Sequence, residues 1–328
     1  MAAMEGLTNF ERVIPSSLKF PYDRNLQHEI EHHRKALGGT LFIDRVMTTL
    51  GLVKGSPRHP LRSSLLLLTA LCEGRTYPPK SENALRQLHQ LFCDSNMSVQ
   101  HKQSLIYYIL LDFDTESSQS STSDSFAAGA GMPVNYQIFM RGLWLMDRQQ
   151  FQEALKFVAH PSLKPDFADE IISTLVRYAP DDHGLALSYY YSMRPTLKTS
   201  SAMELLFDAM TGADATEALL FSRTHPQHTR EQLFRRWVRS LLKEGRGEGR
   251  SSQRDQLAFL PLDSAEESWL EHYLTNGEGR NLARAKDTLV VRKIASDRFE
   301  DACKQRASDR WVAVLDGIKR GVDATHAG

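Results

Sequence analysis

The sequence is short of the features that mark secreted, membrane-spanning or strongly charged proteins. Three cysteines, Cys72, Cys93 and Cys303, lie far apart and are odd in number, so they supply neither a disulfide framework nor a zinc-ligand cluster. A reducing compartment is expected. The strongest apolar run, Leu65 to Leu71, is far shorter than the roughly 20 residues a helix needs to cross a bilayer, and no basic segment leads into an apolar stretch at the start. A soluble chain without membrane insertion is expected. Excess charge is missing too: Lys+Arg and Asp+Glu both number 40, which leaves no global field to attract nucleic acid or an acidic membrane. Alternation of apolar and polar side chains, the mark of a half-buried strand, is almost absent.

What is present is helical periodicity. With 41% of its 328 residues hydrophobic, the chain can bury a large core. After an N-terminal extension over 1–22, Leu26, Ile30, Leu37, Leu41, Val46 and Leu50 recur at helical spacings. Gly38-Gly39 breaks that run and Gly51 ends it. His59-Pro60 opens an apolar helix to about Cys72, Pro78-Pro79 opens one carrying Leu85, Leu88, Leu91 and Phe92, and Val99 to Phe113 forms another. Together these predict an N-terminal helical block over 23–113. Residues 114–131, DTESSQSSTSDSFAAGAG, hold one aromatic among Ser, Gly and Asp. Such a composition predicts a flexible, readily phosphorylated loop.

Beyond it the chain echoes itself. LWLMDRQQFQEALKF from Leu143, LFDAMTGADATEALLF from Leu206 and HYLTNGEGRNLARAK from His272 align with Met146, Met210 and Leu274 at intervals of 64 residues. In each, a helix ends in a small polar turn and a second helix opens with Ala154, Ala218 or Ala283 at the close-packing position. A further turn at Pro180–Gly184 lies halfway between the first two, so the elementary unit is a helical hairpin of about half the period. Such hairpins hide their apolar faces only by stacking. The expected architecture is therefore all-α, an α-solenoid over 132–291, followed by a C-terminal helix and short tail over 292–328. Tyr189, Tyr190 and Tyr191 are consecutive, and at 100° per residue no single stripe covers all three. Either neighbours pack on a wide arc there, or one tyrosine, Tyr190 being the candidate, meets a partner. Trp311, on the C-terminal helix, is a second aromatic candidate for a partner contact.

Several segments imitate chemical motifs. His28-Glu29-Ile30-Glu31-His32 matches H-E-x-x-H, in which two histidines a turn apart hold zinc and the glutamate acts on the bound water. Glu31, Arg34 and Lys35 crowd it, and Lys35 and Gly38 stand where the extended form of the motif needs Gly and His. It is read as the wet face of an amphipathic helix, with a zinc metallopeptidase as the alternative. Asp112-Phe113-Asp114-Thr115-Glu116 begins like a calcium loop, but Ser117 and Ser123 replace the required Gly and Glu. Gly245-Arg246-Gly247-Glu248-Gly249 and Gly277-Glu278-Gly279 follow no strand and lack the Lys-Ser/Thr of a phosphate loop. No catalytic residue, metal ligand or cofactor site is assigned, and no small-molecule substrate is expected. The basic stretch 230–254 places Arg235, Arg239 and Lys243 four residues apart, opposite Leu233, Phe234, Trp237 and Leu241. It is either a solvated face or a contact for an acidic partner, chromatin or another nucleic-acid backbone.

The order of elements over 135–242 resembles the helical domain of the ELYS nuclear pore assembly family. The residues that carry the likeness are Tyr136, Gly142-Leu143-Trp144, Asp147, Phe151 to Leu155, His160 to Leu163, Pro165, Phe167, Leu185 to Leu187, Arg194-Pro195, Leu197, Glu217 to Leu219, Phe221 and Arg223. Upstream, Leu41 to Arg45, Tyr77-Pro78-Pro79 and Ile106 to Asp112 look like the family's first part, so the likeness covers about 40–243. It implies a helical scaffold of the nuclear pore, docked on the Y-shaped subcomplex of scaffold nucleoporins at the nuclear envelope. It brings no catalytic residues. The family's long members add a β-propeller and an AT-hook; Arg246-Gly247-Glu248 departs from the hook's core, and the sequence resembles the short members that consist of the helical domain. A generic helical-repeat adapter that binds a peptide in a groove is the alternative.

Overall fold

Every regular element among the described residues is a helix, as the missing alternation predicts. The computed structural model describes residues 7–15, 17–52, 76–114, 121–179, 183–242, 257, 259–282, 285–303, 311, 313–318 and 320. The expected apolar helix from His59 to Cys72 lies outside them. The chain divides after Thr196 into two compact units. The borders expected at 113 and 131 lie inside the first unit, and 291 lies inside a helix of the second.

Unit 1 holds α1 (Phe10–Val13), α2 (Arg24–Ala36), α3 (Phe42–Thr49), α4 (Glu82–Asp94), α5 (Val99–Leu111), α6 (Thr122–Ala130), α7 (Val134–Asp147), α8 (Phe151–Val158), α9 (Ala168–Tyr178) and α10 (Gly184–Met193). Local chemistry sets the boundaries. Asp23, Ser81, Ser98 and Ser121 each accept a hydrogen bond from a first-turn amide of the helix they precede. Gly38 and Gly39, at φ +78° and +92°, take the left-handed turn between α2 and α3 that other residues rarely adopt. Within the extension expected over 1–22, Leu7, Val13, Ile14 and Tyr22 are buried. At the centre is α5, buried at every residue from Lys102 to Leu111. It packs on α4, α6 and α7, which is why it is apolar all round.

The loop expected over 114–131 is corrected by α6. Ser121 caps its start, Gly131 at φ +62° closes its end, and Ser123 and Ala127 are buried as it packs on α5. Averaged composition concealed this. Three alanines and two local caps suffice for a short helix once a neighbouring face shelters it.

α7 and α8 form the first copy of the echo. Met146 and Ala154 are fully buried, and a Cβ built on Gly142 would lie 2.7 Å from Val158 Cγ1 and 3.1 Å from Val158 N. The helices therefore touch through a missing side chain. Gly142→Ala is expected to lower the stability of unit 1 by about 1–3 kcal/mol through overpacking, read as a lower midpoint in chemical denaturation. An unchanged midpoint would show that α8 shifts aside at no cost.

Unit 2 holds α11 (Ser200–Ala213), α12 (Ala215–Arg223), α13 (Gln227–Leu242), α14 (Ser264–Thr275), a 3-10 turn (Glu278–Asn281), α15 (Ala285–Ala295) and α16 (Phe299–Cys303). The second copy of the echo is the α11–α12 pair, with Met210 and Ala218 buried. The third keeps Leu274 buried; α14 is followed by the 3-10 turn and then by α15 from Ala285, while Ala283 lies outside the described residues. Trp237 anchors the unit: fully buried, it donates Nε1–H to the Ala215 carbonyl at 2.8 Å, joining α13 to α12. The helix expected to run on from Arg292 ends at Ala295, and Asp297 at φ +57° precedes α16. Val290, Ala302 and Leu315 then share a cluster with Ile294, Cys303 and Trp311, so the C-terminal segment folds back on α15. No helix among the described residues is long and apolar enough to cross a membrane.

Candidate functional site

The chemistry-bearing side chains of unit 1 converge on two buried carboxylates. Asp112, at the end of α5, accepts hydrogen bonds at Oδ2 from the hydroxyls of Tyr22 (2.7 Å) and Tyr77 (2.8 Å). Its Oδ1 accepts from Trp144 Nε1 (2.8 Å) and Arg148 Nη2 (2.9 Å). The Arg148 guanidinium also lies over the Trp144 ring at 4.2 Å. With both oxygens saturated by protein donors, the segment that begins like a calcium loop has a different use for its first carboxylate. Burial and the neighbouring Asp112 push the Tyr22 and Tyr77 hydroxyls well above the usual phenol range, so both remain donors.

Asp147, at the end of α7, accepts from the Phe42 amide (2.6 Å), the Ile43 amide (3.1 Å) and the Tyr108 hydroxyl (2.8 Å). It thereby caps α3 from another helix. Burial pushes its pKa up to about 7 against the pull of these donors. The unfolded carboxyl releases its proton near 4, so between about pH 4 and pH 7 the folded state binds more protons. Stability is therefore expected to fall as pH rises through that window, by up to about 1.4 kcal/mol per pH unit. Denaturation series at pH 5 and pH 8 should show the loss, and Asp147→Asn should flatten it; a profile identical in the variant would refute the assignment.

A third buried charge completes the set. Arg34, fully buried, forks onto both oxygens of Asp44 (3.0 and 3.1 Å), donates to the Tyr77 carbonyl (2.8 Å) and pairs with Glu31. That pairing decides the H-E-x-x-H segment's surroundings. Glu31 serves Arg34, Glu29 lies 3.8 Å from Arg148 Nη1, and His28 and His32 sit on the exposed face of α2. Among the described residues no group of three His, Cys, Asp or Glu side chains is placed to hold a metal ion.

In unit 2 the equivalent knot is Glu266. It is fully buried and accepts from Arg223 Nε (2.9 Å) and Nη2 (2.7 Å), from Arg230, and from the Asp263 amide (3.0 Å). Unit 2 also holds a groove of about 490 Å³ between α11, α13, α14 and the 3-10 turn, lined by Glu204, Arg235, Arg236, Arg239, Tyr273 and Glu278 among others.

The basic face expected on α13 borders this groove, and its cations are compensated. Arg235 pairs with Glu231 one turn back, Arg236 with Asp208 and Glu204, and Arg239 with Glu278 while its Nε reaches the Tyr273 hydroxyl at 3.3 Å. Arg235 and Arg239 remain about half exposed, at 46% and 56% of their side chains. Lys243 lies outside the described residues. Tyr190, in unit 1, meets Tyr191 edge to face at 5.5 Å; Tyr189 is buried and Tyr191 exposed, so the three spread over a wide arc. Trp311 packs into the C-terminal cluster. Sequence reading brought out the arginines and missed their partners. Glu204 and Asp208, four apart on α11, carried a helical charge signal, but nothing local tied them to a helix 28 residues on.

Several of the segments that carried the sequence likeness meet in unit 1: Phe42, Ile43 and Asp44, Tyr77, Tyr108 and Asp112, Trp144 and Asp147 all belong to the buried networks. Comparison with known proteins agrees. Residues 40–277 match the ELYS family, described as nuclear pore complex assembly. The chain is 28% identical over 181 residues, 55% of its length, to the uncharacterized protein ely5 of Schizosaccharomyces pombe, covering 52% of that protein. It is 26% identical over 134 residues, 39% of its length, to protein ELYS of Xenopus laevis, covering 5% of it. The chain thus spans about half the length of the first relative and a small part of the second. With nearly three quarters of its residues inside the match, the chain belongs to the ELYS nuclear pore complex assembly family.

Proposed function

We propose that the chain is a structural scaffold that aids nuclear pore assembly, and so nucleocytoplasmic transport, by docking on the Y-shaped subcomplex of scaffold nucleoporins at the nuclear envelope. The family match over 40–277 is the observation that carries this reading. The helical construction fits it. Helices pack on their sequence neighbours, α7 on α8, α11 on α12 and α12 on α13, which supports a solenoid built of hairpins. The buried carboxylates serve the framework, each saturated by structural donors, and the reading assigns no catalytic residue, metal or cofactor. Within it, the exposed edge of α13 at Arg235 and Arg239, with Lys243 next in the same sequence stripe, is the proposed contact for an acidic surface of the partner, with chromatin or another nucleic-acid backbone as a weaker ligand of the same stretch.

Gel filtration of the full chain with a reconstituted Y-shaped subcomplex tests this at physiological ionic strength. Co-elution is expected, and the double variant Arg235→Glu, Arg239→Glu is expected to weaken binding on the order of tenfold, mainly by slowing association. Separate elution of the unaltered chain would overturn the scaffold reading. The 490 Å³ groove beside these arginines favours one second reading, an adapter that takes a peptide strand there. Binding to an isolated acidic peptide but not to the assembled subcomplex would select it.

A further inference from the structure

We propose that Ser121 is a phosphorylation site and that its modification unlocks α6 from the end of α5. Among the hydroxyl residues of 115–125, Ser121 alone is followed three positions on by an acid, Asp124. Asp124 is exposed, Ser121 is partly exposed, and its backbone is extended at φ −70°, ψ 121°. An extended serine with an exposed carboxylate just downstream suits a kinase whose substrate groove is basic. In the reaction the Ser121 oxygen forms a bond to the γ-phosphorus of ATP. The bond from that phosphorus to the bridging oxygen breaks, ADP leaves, and the hydroxyl proton passes to the kinase.

The unmodified hydroxyl has three contacts, one of them with the Ser123 hydroxyl at 3.0 Å. It accepts from the Asp124 amide at 3.2 Å and donates to Asp114 Oδ2 at 2.7 Å. Asp114 is the clasp of the whole start of α6. Its carboxylate also accepts from the Thr122 amide (2.6 Å), the Ser123 amide (3.4 Å) and the Ser123 hydroxyl (2.6 Å). Ser123 is fully buried. The other end of α6 is held separately, by Gln103 Nε2 on the Ala130 carbonyl at 2.7 Å.

A phosphate on Ser121 removes the donor to Asp114 and sets a charge near −2 against that carboxylate. Arg141, 3.1 Å from Asp124 Oδ1, already answers one acid. Repulsion displaces Asp114 and strips Ser123's buried hydroxyl of its acceptor. The first turn of α6 opens while the Gln103 end keeps its bond.

The test uses the full chain treated with an acidophilic protein kinase and ATP, with the site read by mass spectrometry and α6 by amide hydrogen exchange. Phosphate on Ser121, absent from Ser121→Ala, is expected, with amides of residues 122–126 exchanging about tenfold faster and those of α5 unchanged. Asp114→Asn removes the repulsion, so phosphorylation of that variant should leave exchange near its own unmodified rate. Failure of the kinase to modify Ser121 overturns the site. Phosphorylation that leaves exchange in α6 unchanged, or that accelerates it equally in Asp114→Asn, overturns the switch.

Discussion

Asp112→Ala is expected to cost unit 1 about 3–5 kcal/mol, a large share of the stability of an ordinary domain. Four donors from three parts of the chain end on that carboxylate: Tyr22 ahead of α2, Tyr77 ahead of α4, and Trp144 on α7 with Arg148 just past it. Alanine leaves all four without an acceptor in a buried site and leaves the Arg148 cation uncompensated on that side. Losing one partner of a buried ion pair costs more than the pair contributes, because the survivor's desolvation is no longer offset. Asp112→Asn separates the components. It keeps the shape and one carbonyl acceptor but removes the charge, so its loss should fall between the wild type and alanine. Urea denaturation followed by amide hydrogen exchange in α5 would measure both, and an alanine variant within about 1 kcal/mol of wild type, a bound on the order of a single neutral hydrogen bond, would contradict the network.

How much of this was legible in the sequence depends on the range of the interaction. Helices with periodic apolar faces and sharp punctuation were readable: Gly38-Gly39 separates α2 from α3, and α5 begins at Val99 as expected. The basic stripe on α13 was readable because Arg235 and Arg239 are neighbours on one helix face. What joins distant segments was not. Asp112 looked like the start of a calcium loop because its donors lie 32 to 90 residues away, and no local pattern announces them. α6 was hidden because composition is an average, whereas a helix start is decided by one serine and one aspartate. Trp311 looked available because the apolar residues that cover it, Val290 among them, belong to another helix.

Glu266→Ala is the counterpart in unit 2, and its response to pH has the opposite sign to that of Asp147. Glu266 closes a capping box with Asp263 at the start of α14 and holds Arg223 from the end of α12 and Arg230 from the first turn of α13. Its loss leaves two guanidiniums facing each other beside a helix end whose reciprocal cap is gone, and a cost of about 3–5 kcal/mol is expected. Burial raises the pKa of Glu266, but the hydrogen bonds and charges of Arg223 and Arg230 outweigh it and hold the carboxyl below its ordinary range. A depressed acid contributes stability that is present above its unfolded pKa and is lost as pH falls through the folded value. Acid should therefore weaken unit 2 through Glu266 only below the ordinary glutamate pKa of about 4.3, whereas protonation of Asp147 favours the folded form of unit 1 between about pH 7 and pH 4. Amide exchange across both units between about pH 2.5 and pH 7, corrected for intrinsic rates, would resolve the two trends, unit 1 through Asp147 above about pH 4 and unit 2 through Glu266 below it. In Glu266→Ala, unit 2 should lose its acid sensitivity along with its protection while unit 1 keeps its own profile. Equal losses of protection in α5 and α14 would show that the two units unfold as one and would refute the separate assignments.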